Sequence, residues 1–242
     1  MNTSKQAKGA TFGNVSINWH FLFVSAGRVM KNIIIFGGSF DPPHNGHLNT
    51  ALAVQDFFHF DRFVFLPCKQ PILKDASIAS AQQRLTLLKL ALAKHPEFII
   101  DTRELSRKSR SYKATTLKHF REEFSNHIAI TLLVGLDAFL QLPQWHDWQS
   151  LLTLTNLLVI SRPGFKPNFN PVLQQLLANH EVTDKSELLT KPHGAIYLYD
   201  AGKHPISSTY LRSEIKAGRT IKPYVPFEVY EYIEHHGLYK SR

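Results

Sequence analysis

The sequence predicts an α/β protein built on a doubly wound parallel sheet, with a small helical part towards the C-terminus. Two observations carry this. Short apolar, β-branched runs alternate with helix-length amphipathic segments, and the first such run stops at a glycine pair. Residues 32–36 (Asn-Ile-Ile-Ile-Phe) are apolar without alternation, as in a strand buried on both faces. Gly37 and Gly38 end this run and let the backbone pass close to a ligand. Two prolines in residues 40–43 then fix φ and remove two donors, making a rigid corner. His44 and His47 follow, flanking Asn45-Gly46, and helical spacing begins at Leu48.

The remaining elements follow in order. Residues 48–59 have helical spacing, and 62–67 (Arg-Phe-Val-Phe-Leu-Pro) read as a second buried strand. Residues 68–80, with Lys69, Pro71 and Lys74, form a lid or binding loop. Residues 81–94 place Leu85, Leu88 and Leu92 on one helical stripe that Pro96 terminates. A short strand at 98–101, a basic loop at 103–110 and a helix at 115–124 come next. Residues 129–134 are a buried strand ended by Gly135, feeding a helix at 137–142 and a helical turn at 145–152. Strand 156–161 ends at Arg162-Pro163-Gly164, helix 171–178 follows, and 195–199 is the last strand. Ile206-Ser207-Ser208-Thr209 opens a helix running to Lys216, and 227–236 forms a closing helix capped by Gly237. Right-handed crossovers place the loops after the strands on one edge of such a sheet.

Of the 242 residues, 43% are hydrophobic and 19% charged, enough for one sizeable core in a single domain over 30–242. The net charge of +9 suits an anionic partner, or equally a solvated basic surface. Cys68 is the only cysteine, so no intrachain disulfide or cysteine-rich zinc site can form, and a cytoplasmic setting is expected. No apolar run has the length of a membrane span. In residues 15–26, Asn18 and His20 interrupt the apolar run of a signal peptide. Met30 directly precedes the first strand and is a candidate start of translation. Residues 1–29 then read as an extension, either disordered or not native.

Four constellations carry chemistry. His44 and His47 lie three apart at a helix entrance, where they could ligate a metal, cap the helix or donate to a phosphate. The glycine pair before them favours the phosphate. Ser207, Ser208 and Thr209 open a helix whose free amides favour an anion, with Arg212 one turn along; an ordinary N-cap is the plain alternative. Gly135-Leu-Asp137 puts a carboxylate at a strand end, to hold a ribose hydroxyl or merely to begin a helix. Trp145 and Trp148 fit a core, and Trp145 also fits stacking on a heteroaromatic ring.

Gly37-Gly-Ser-Phe-Asp-Pro-Pro-His-Asn-Gly-His47, together with Ile206-Ser-Ser-Thr-Tyr-Leu-Arg212, resembles the nucleotidyltransferase superfamily with the His-x-Gly-His signature. Within it the chain resembles the bacterial nicotinate-nucleotide adenylyltransferases from about Lys31 to Tyr239. Supporting segments in the same order are Gln83-Arg84, Glu104-x-x-Arg107, Ser111-Tyr112, Trp145-x-x-Trp148, Arg162-Pro-Gly164 and Gly237-Leu-Tyr239.

The resemblance implies a Rossmann-like sheet of the nucleotidyltransferase type. It also implies adenylyl transfer from ATP to nicotinate mononucleotide, with Mg²⁺ carried on the ATP phosphates and no metal bound by the protein itself. It implies ATP binding by Gly37, Gly38, Ser39, Phe40, Gly135, Asp137, Ile206, Ser207, Ser208 and Thr209, with His44, His47 and Arg212 catalytic. Mononucleotide binding falls to Lys74, Tyr112, Lys113, Ala114, Trp145, His146 and Arg162. No nucleic-acid or membrane partner is expected, and the sequence sets no oligomeric state. Two segments depart from the family pattern: Pro71-Ile-Leu-Lys74 stands where Pro-Pro-His-Lys is usual, and Ser111-Tyr-Lys113 where Ser-Tyr-Thr is usual. Lys113 thus adds a cation beside the expected pyridine-carboxylate pocket, either strengthening carboxylate binding or reaching solvent.

Overall fold

Strand β1 (Asn32–Gly38) lies at the centre of a sheet whose every neighbour runs parallel to it. The computed structural model describes residues 24–25, 28–70, 78–107, 112–161, 168–202 and 206–240. With β2 (Arg62–Pro67), β3 (Phe98–Ile100), β4 (Ala129–Gly135), β5 (Asn156–Ser161) and β6 (Ile196–Asp200), the strand order is β3-β2-β1-β4-β5-β6. The order reverses between β1 and β4, so their C-terminal ends open a crevice, the usual ligand position in such sheets. Of the expected extension, only an antiparallel pair, Val24–Ser25 with Arg28–Val29, falls among the described residues.

The unbroken apolar runs arise because both faces of the sheet are covered. Ile33 and Ile35 face one core with Leu132, Val134, Leu117, Phe120 and Phe139. Ile34 faces the other with Phe63, Phe65, Ala51, Val54 and Phe58. Burying each such Val, Ile or Phe contributes about 1.5–3 kcal/mol. Helix α1 (Asn45–Phe58) and α2 (Ala81–Ala91) cover the second face, while α4 (Lys113–Phe124) covers the first. Helices α9 (Ser208–Lys216) and α10 (Phe227–His235) pack on α2 through Leu87, Ala91, Leu211, Ile215, Val229 and Ile233, forming the small C-terminal helical part.

Several boundaries differ from the sequence reading. Helix α1 begins at Asn45, three residues before the expected start, because its first turn accommodates Gly46 and uses His44 as N-cap. Residues 103–110 are not wholly a loop: α3 (Arg103–Ser106) forms there, with Asp101 accepting from the Arg103 amide and Nε. Helix α4 starts at Lys113, not at 115. The segment after β4 divides into α5 (Leu136–Leu140), α6 (Leu151–Leu154) and short 3-10 turns between them. After α7 (Pro171–His180) comes α8 (Ser186–Thr190), which the sequence reading lacked; its one buried side chain, Leu188, gives too little periodicity to register.

Candidate active site

The loop after β1 is shaped by its own sequence and held by distant side chains. Phe40 has φ +50°, a left-handed conformation unusual for a residue with a side chain. Its ring turns into the core, where it packs edge-on to His47 at 5.1 Å and to Phe36 at 5.7 Å. The side chain of Phe40, a residue expected at the nucleotide, is buried against His47. The two histidine rings stack at 3.7 Å between centroids. The His44 amide donates to His47 Nδ1 at 3.3 Å, so that nitrogen is the lone-pair side and Nε2 carries the proton. Gly46 is required for this stack: a Cβ there would lie 2.9 Å from His44 Nδ1.

His44 is buried, and burial pushes its imidazole down to about 4. The unfolded chain takes up a proton near pH 6.5, which the folded chain refuses until about 4. The resulting stabilisation is complete above pH 6.5 and is lost as pH falls through that window, about 3 kcal/mol in all. Urea unfolding of the wild type is therefore expected to weaken from pH 7 to 4.5, and His44→Asn to show a flatter profile. Parallel profiles would contradict this assignment.

The second constellation docks directly on the first. Ser208 Oγ donates to the Pro42 carbonyl at 2.8 Å, and Arg212 Nη1 to the Asp41 carbonyl at 2.8 Å. Arg212 Nη2 also reaches Thr209 Oγ1 at 3.3 Å. Ser207 is the N-cap of α9, its Oγ accepting from the Tyr210 amide, so for this residue the plain capping role holds. Ile206 packs on the third core and comes within 3.5 Å of a Cβ built on Gly46. Two segments about 165 residues apart thus form one unit, and its imidazole, guanidinium and helix-terminal amides are groups of the kind that bind anions. These groups suit phosphate oxygens rather than a bare cation. Among the described residues no group of three or more His, Cys, Asp or Glu side chains is placed to hold a metal ion.

Beside this unit, at the ends of β1 and β4, is a cavity of about 480 Å³. Gly37, Gly38 and Ser39 line it after β1 and Gly135 with Ala138 after β4, together with Tyr112, Lys113, Trp145 and His146. Tyr112 and His146 lie ring against ring at 4.3 Å. Trp145 is half-buried and reaches both the cavity and the first core, whereas Trp148 packs on that core. Cys68 lines the floor, and burial raises its thiol, consistent with a packing role. Ala114 is buried in the first turn of α4. Asp137 is exposed in the first turn of α5 and is not among the residues lining this cavity. Lys74 and Arg162, also expected here, lie outside the described residues.

Lys113 does not reach out to solvent as one reading expected. Its Nζ donates to both carboxylate oxygens of Glu104, at 3.0 and 3.1 Å, and Glu104 is fully buried. Thr116 Oγ1 donates to the same carboxylate at 2.9 Å. The lysine stem lies across Gly37, where a Cβ would come 2.8 Å from Cε. A further buried cation, Arg84, donates to the carbonyls of Ser39, Cys68 and Lys69 at 2.6–2.8 Å and so ties the first loop to the second. Roles for Glu104 and Arg84 were not read from the sequence. The signal for Arg84 was available, since a charged residue three and four positions before Leu87 and Leu88 sits in an apolar stripe.

Residues 35–214 match the cytidylyltransferase-like family model. A probable nicotinate-nucleotide adenylyltransferase from Legionella pneumophila (strain Corby) is 47% identical over 212 residues, covering 87% of this chain and 100% of that protein. One from Methylococcus capsulatus is 39% identical over 206 residues, covering 85% and 98%. Among solved structures, Plasmodium falciparum nicotinic acid mononucleotide adenylyltransferase complexed with NaAD superposes with a TM-score of 0.65. It is 21% identical and covers 86% of this chain and 97% of that one, a likeness of fold. With the histidine loop, the Ser208–Arg212 helix and the switch-point cavity in place, the chain belongs to the cytidylyltransferase-like family and, within it, to the nicotinate-nucleotide adenylyltransferases.

Proposed function

We propose that the protein transfers the adenylyl group of ATP to nicotinate mononucleotide, giving deamido-NAD and pyrophosphate. The observation that carries this is the direct docking of the Ser208–Arg212 helix on the histidine loop, beside a cavity of nucleotide size at the switch point. The relatives' names support the same reading. ATP lies along the loop: the amides of Gly37, Gly38 and Ser39 meet its phosphates, and His47 Nε2–H donates to the α-phosphate. Ser208, Thr209 and Arg212 take the outer phosphates, and Gly135 and Asp137 border the nucleotide groove. The mononucleotide occupies the cavity with its pyridine ring on Trp145. Its carboxylate faces the amides near Ala114 and His146, beside Tyr112 and Lys113, with Lys74 and Arg162 assigned to the same substrate.

An oxygen of the mononucleotide 5′-phosphate attacks the α-phosphorus in line. A new P–O–P bridge forms, the bond from the α-phosphorus to the bridging oxygen breaks, and that oxygen leaves on pyrophosphate. A phosphate dianion is already a nucleophile, so the protein needs no general base; it aligns two polyanions and stabilises charge growing on the α-phosphate. Mg²⁺ carried on the ATP phosphates would neutralise part of that charge. No helix among the described residues is long and apolar enough to cross a membrane; a cytoplasmic setting is part of the proposal. Residues 30–242 are read as one catalytic unit.

Pyrophosphate release measured with ATP, Mg²⁺ and each pyridine mononucleotide in turn tests the proposal. Fast release with the acid form and slow release with the amide form is the expected outcome. Equal rates would remove the nicotinate preference, and no release with either would remove the adenylyltransferase assignment.

A further inference from the structure

The geometry points to Tyr239 as a positioning residue for adenylyl transfer: its hydroxyl, through the buried carboxylate of Asp41, sets the loop that carries His44 and holds Arg212. This deepens the functional reading above and rests on it. Asp41 is 3% exposed and sits in the middle of the loop. One carboxylate oxygen accepts from Tyr239 Oη at 2.8 Å and from the Ala79 amide at 3.2 Å. The other accepts from the Ile78 amide at 2.8 Å. The carbonyl of the same residue holds Arg212, and the next carbonyl, that of Pro42, holds Ser208. One residue therefore registers both halves of the phosphate unit, and its side chain is fixed from outside by three donors.

Tyr239 is the donor whose delivery demands most from the chain. After α10 ends, Gly237 has φ +57° and Tyr239 φ +66°, and the Leu238 amide donates back to the Ile233 carbonyl at 3.0 Å. This reversal turns the ring inward, where it completes the third core at 4% exposure. The ring alone would satisfy that packing. Burial and the adjacent Asp41 carboxylate raise the phenol far above its ordinary range, so at all working pH values it stays a proton donor to Asp41. Without that bond the buried carboxylate keeps two amide donors among the described residues, and the strained corner at Phe40 loses part of what holds it.

Tyr239→Phe keeps the ring and removes the bond. Its kcat is expected to fall about tenfold with both KM values nearly unchanged, as for a small misplacement of reacting groups. Asp41→Asn, which also disturbs the bonds from the Ile78 and Ala79 amides, is expected to lose at least as much, and the double variant no more than Asp41→Asn alone, since Tyr239 acts through Asp41. Hydrogen exchange reads the same loop without turnover. The Ile78, Ala79, His47 and Leu48 amides should exchange faster in Tyr239→Phe, and the strand amides of Ile33–Ile35 should not. Wild-type kcat in Tyr239→Phe with unchanged exchange would overturn the inference, as would additive losses or a uniform rise in exchange across the sheet. Absence of turnover in the wild type would instead strike the proposed function, leaving the exchange result to decide the positioning role.

Discussion

His47→Ala is expected to lower kcat by about two to three orders of magnitude while leaving the fold intact, the usual loss for one donor aimed at developing charge. The argument rests on where the ring is held. His47 lies in the first turn of α1, with its Nδ1 engaged by the His44 amide and its faces against His44 and Phe40. With Nδ1 accepting from the His44 amide, Nε2 carries the ring proton and is the side that donates to phosphate in the proposed role. His47→Asn, which keeps one donor on a shorter side chain, should recover part of the loss. Single-turnover rates and circular dichroism on both variants check the prediction. Near-normal turnover in the alanine variant with intact structure would contradict the role given to His47.

Arg84→Met is expected to destabilise the fold by about 3–5 kcal/mol, since three acceptors lose their donor at about 1–3 kcal/mol each. Three carbonyls, on Ser39, Cys68 and Lys69, take their hydrogen bonds from this one guanidinium. Methionine fills the volume and satisfies none of them, so the cost is that of stranded acceptors rather than of a cavity. For a chain of this size the midpoint of thermal unfolding should drop by about 10 °C. Differential scanning calorimetry at neutral pH measures it. A change within the error of the scan would mean that water or another donor replaces the guanidinium.

The sheet was legible because its strands are covered on both sides, and Ile33, Ile34 and Ile35 therefore had no reason to alternate. The two halves of the proposed phosphate unit were legible because each is a local pattern: histidines three apart, and Ser208 with Arg212 one turn apart. What ties the halves together was not. Asp41 meets Tyr239 across 198 positions and Arg212 across 171, and no periodicity encodes such partners. Lys113 shows the same limit. The sequence shows this lysine where the family has threonine and offers substrate or solvent as its partner, but not the buried carboxylate that holds it. Glu104, nine positions earlier and fully buried, holds the ammonium on both oxygens. Helix α1 was started late because Asn45-Gly46 has the composition of a turn, and the benefit of placing His44 at the cap is visible only in three dimensions.

The clasp between the histidine loop and the C-terminal helices also bears on biosynthesis. The loop follows the first sheet strand and leaves the ribosome early, whereas Ser208, Arg212 and Tyr239 emerge more than 160 residues later. The sheet can begin to assemble as strands appear, but the phosphate unit cannot adopt its final shape until the last helices arrive. A nascent chain stalled before α9 would carry both histidines without the contacts that hold their loop, so the proposed catalytic competence is acquired late in synthesis.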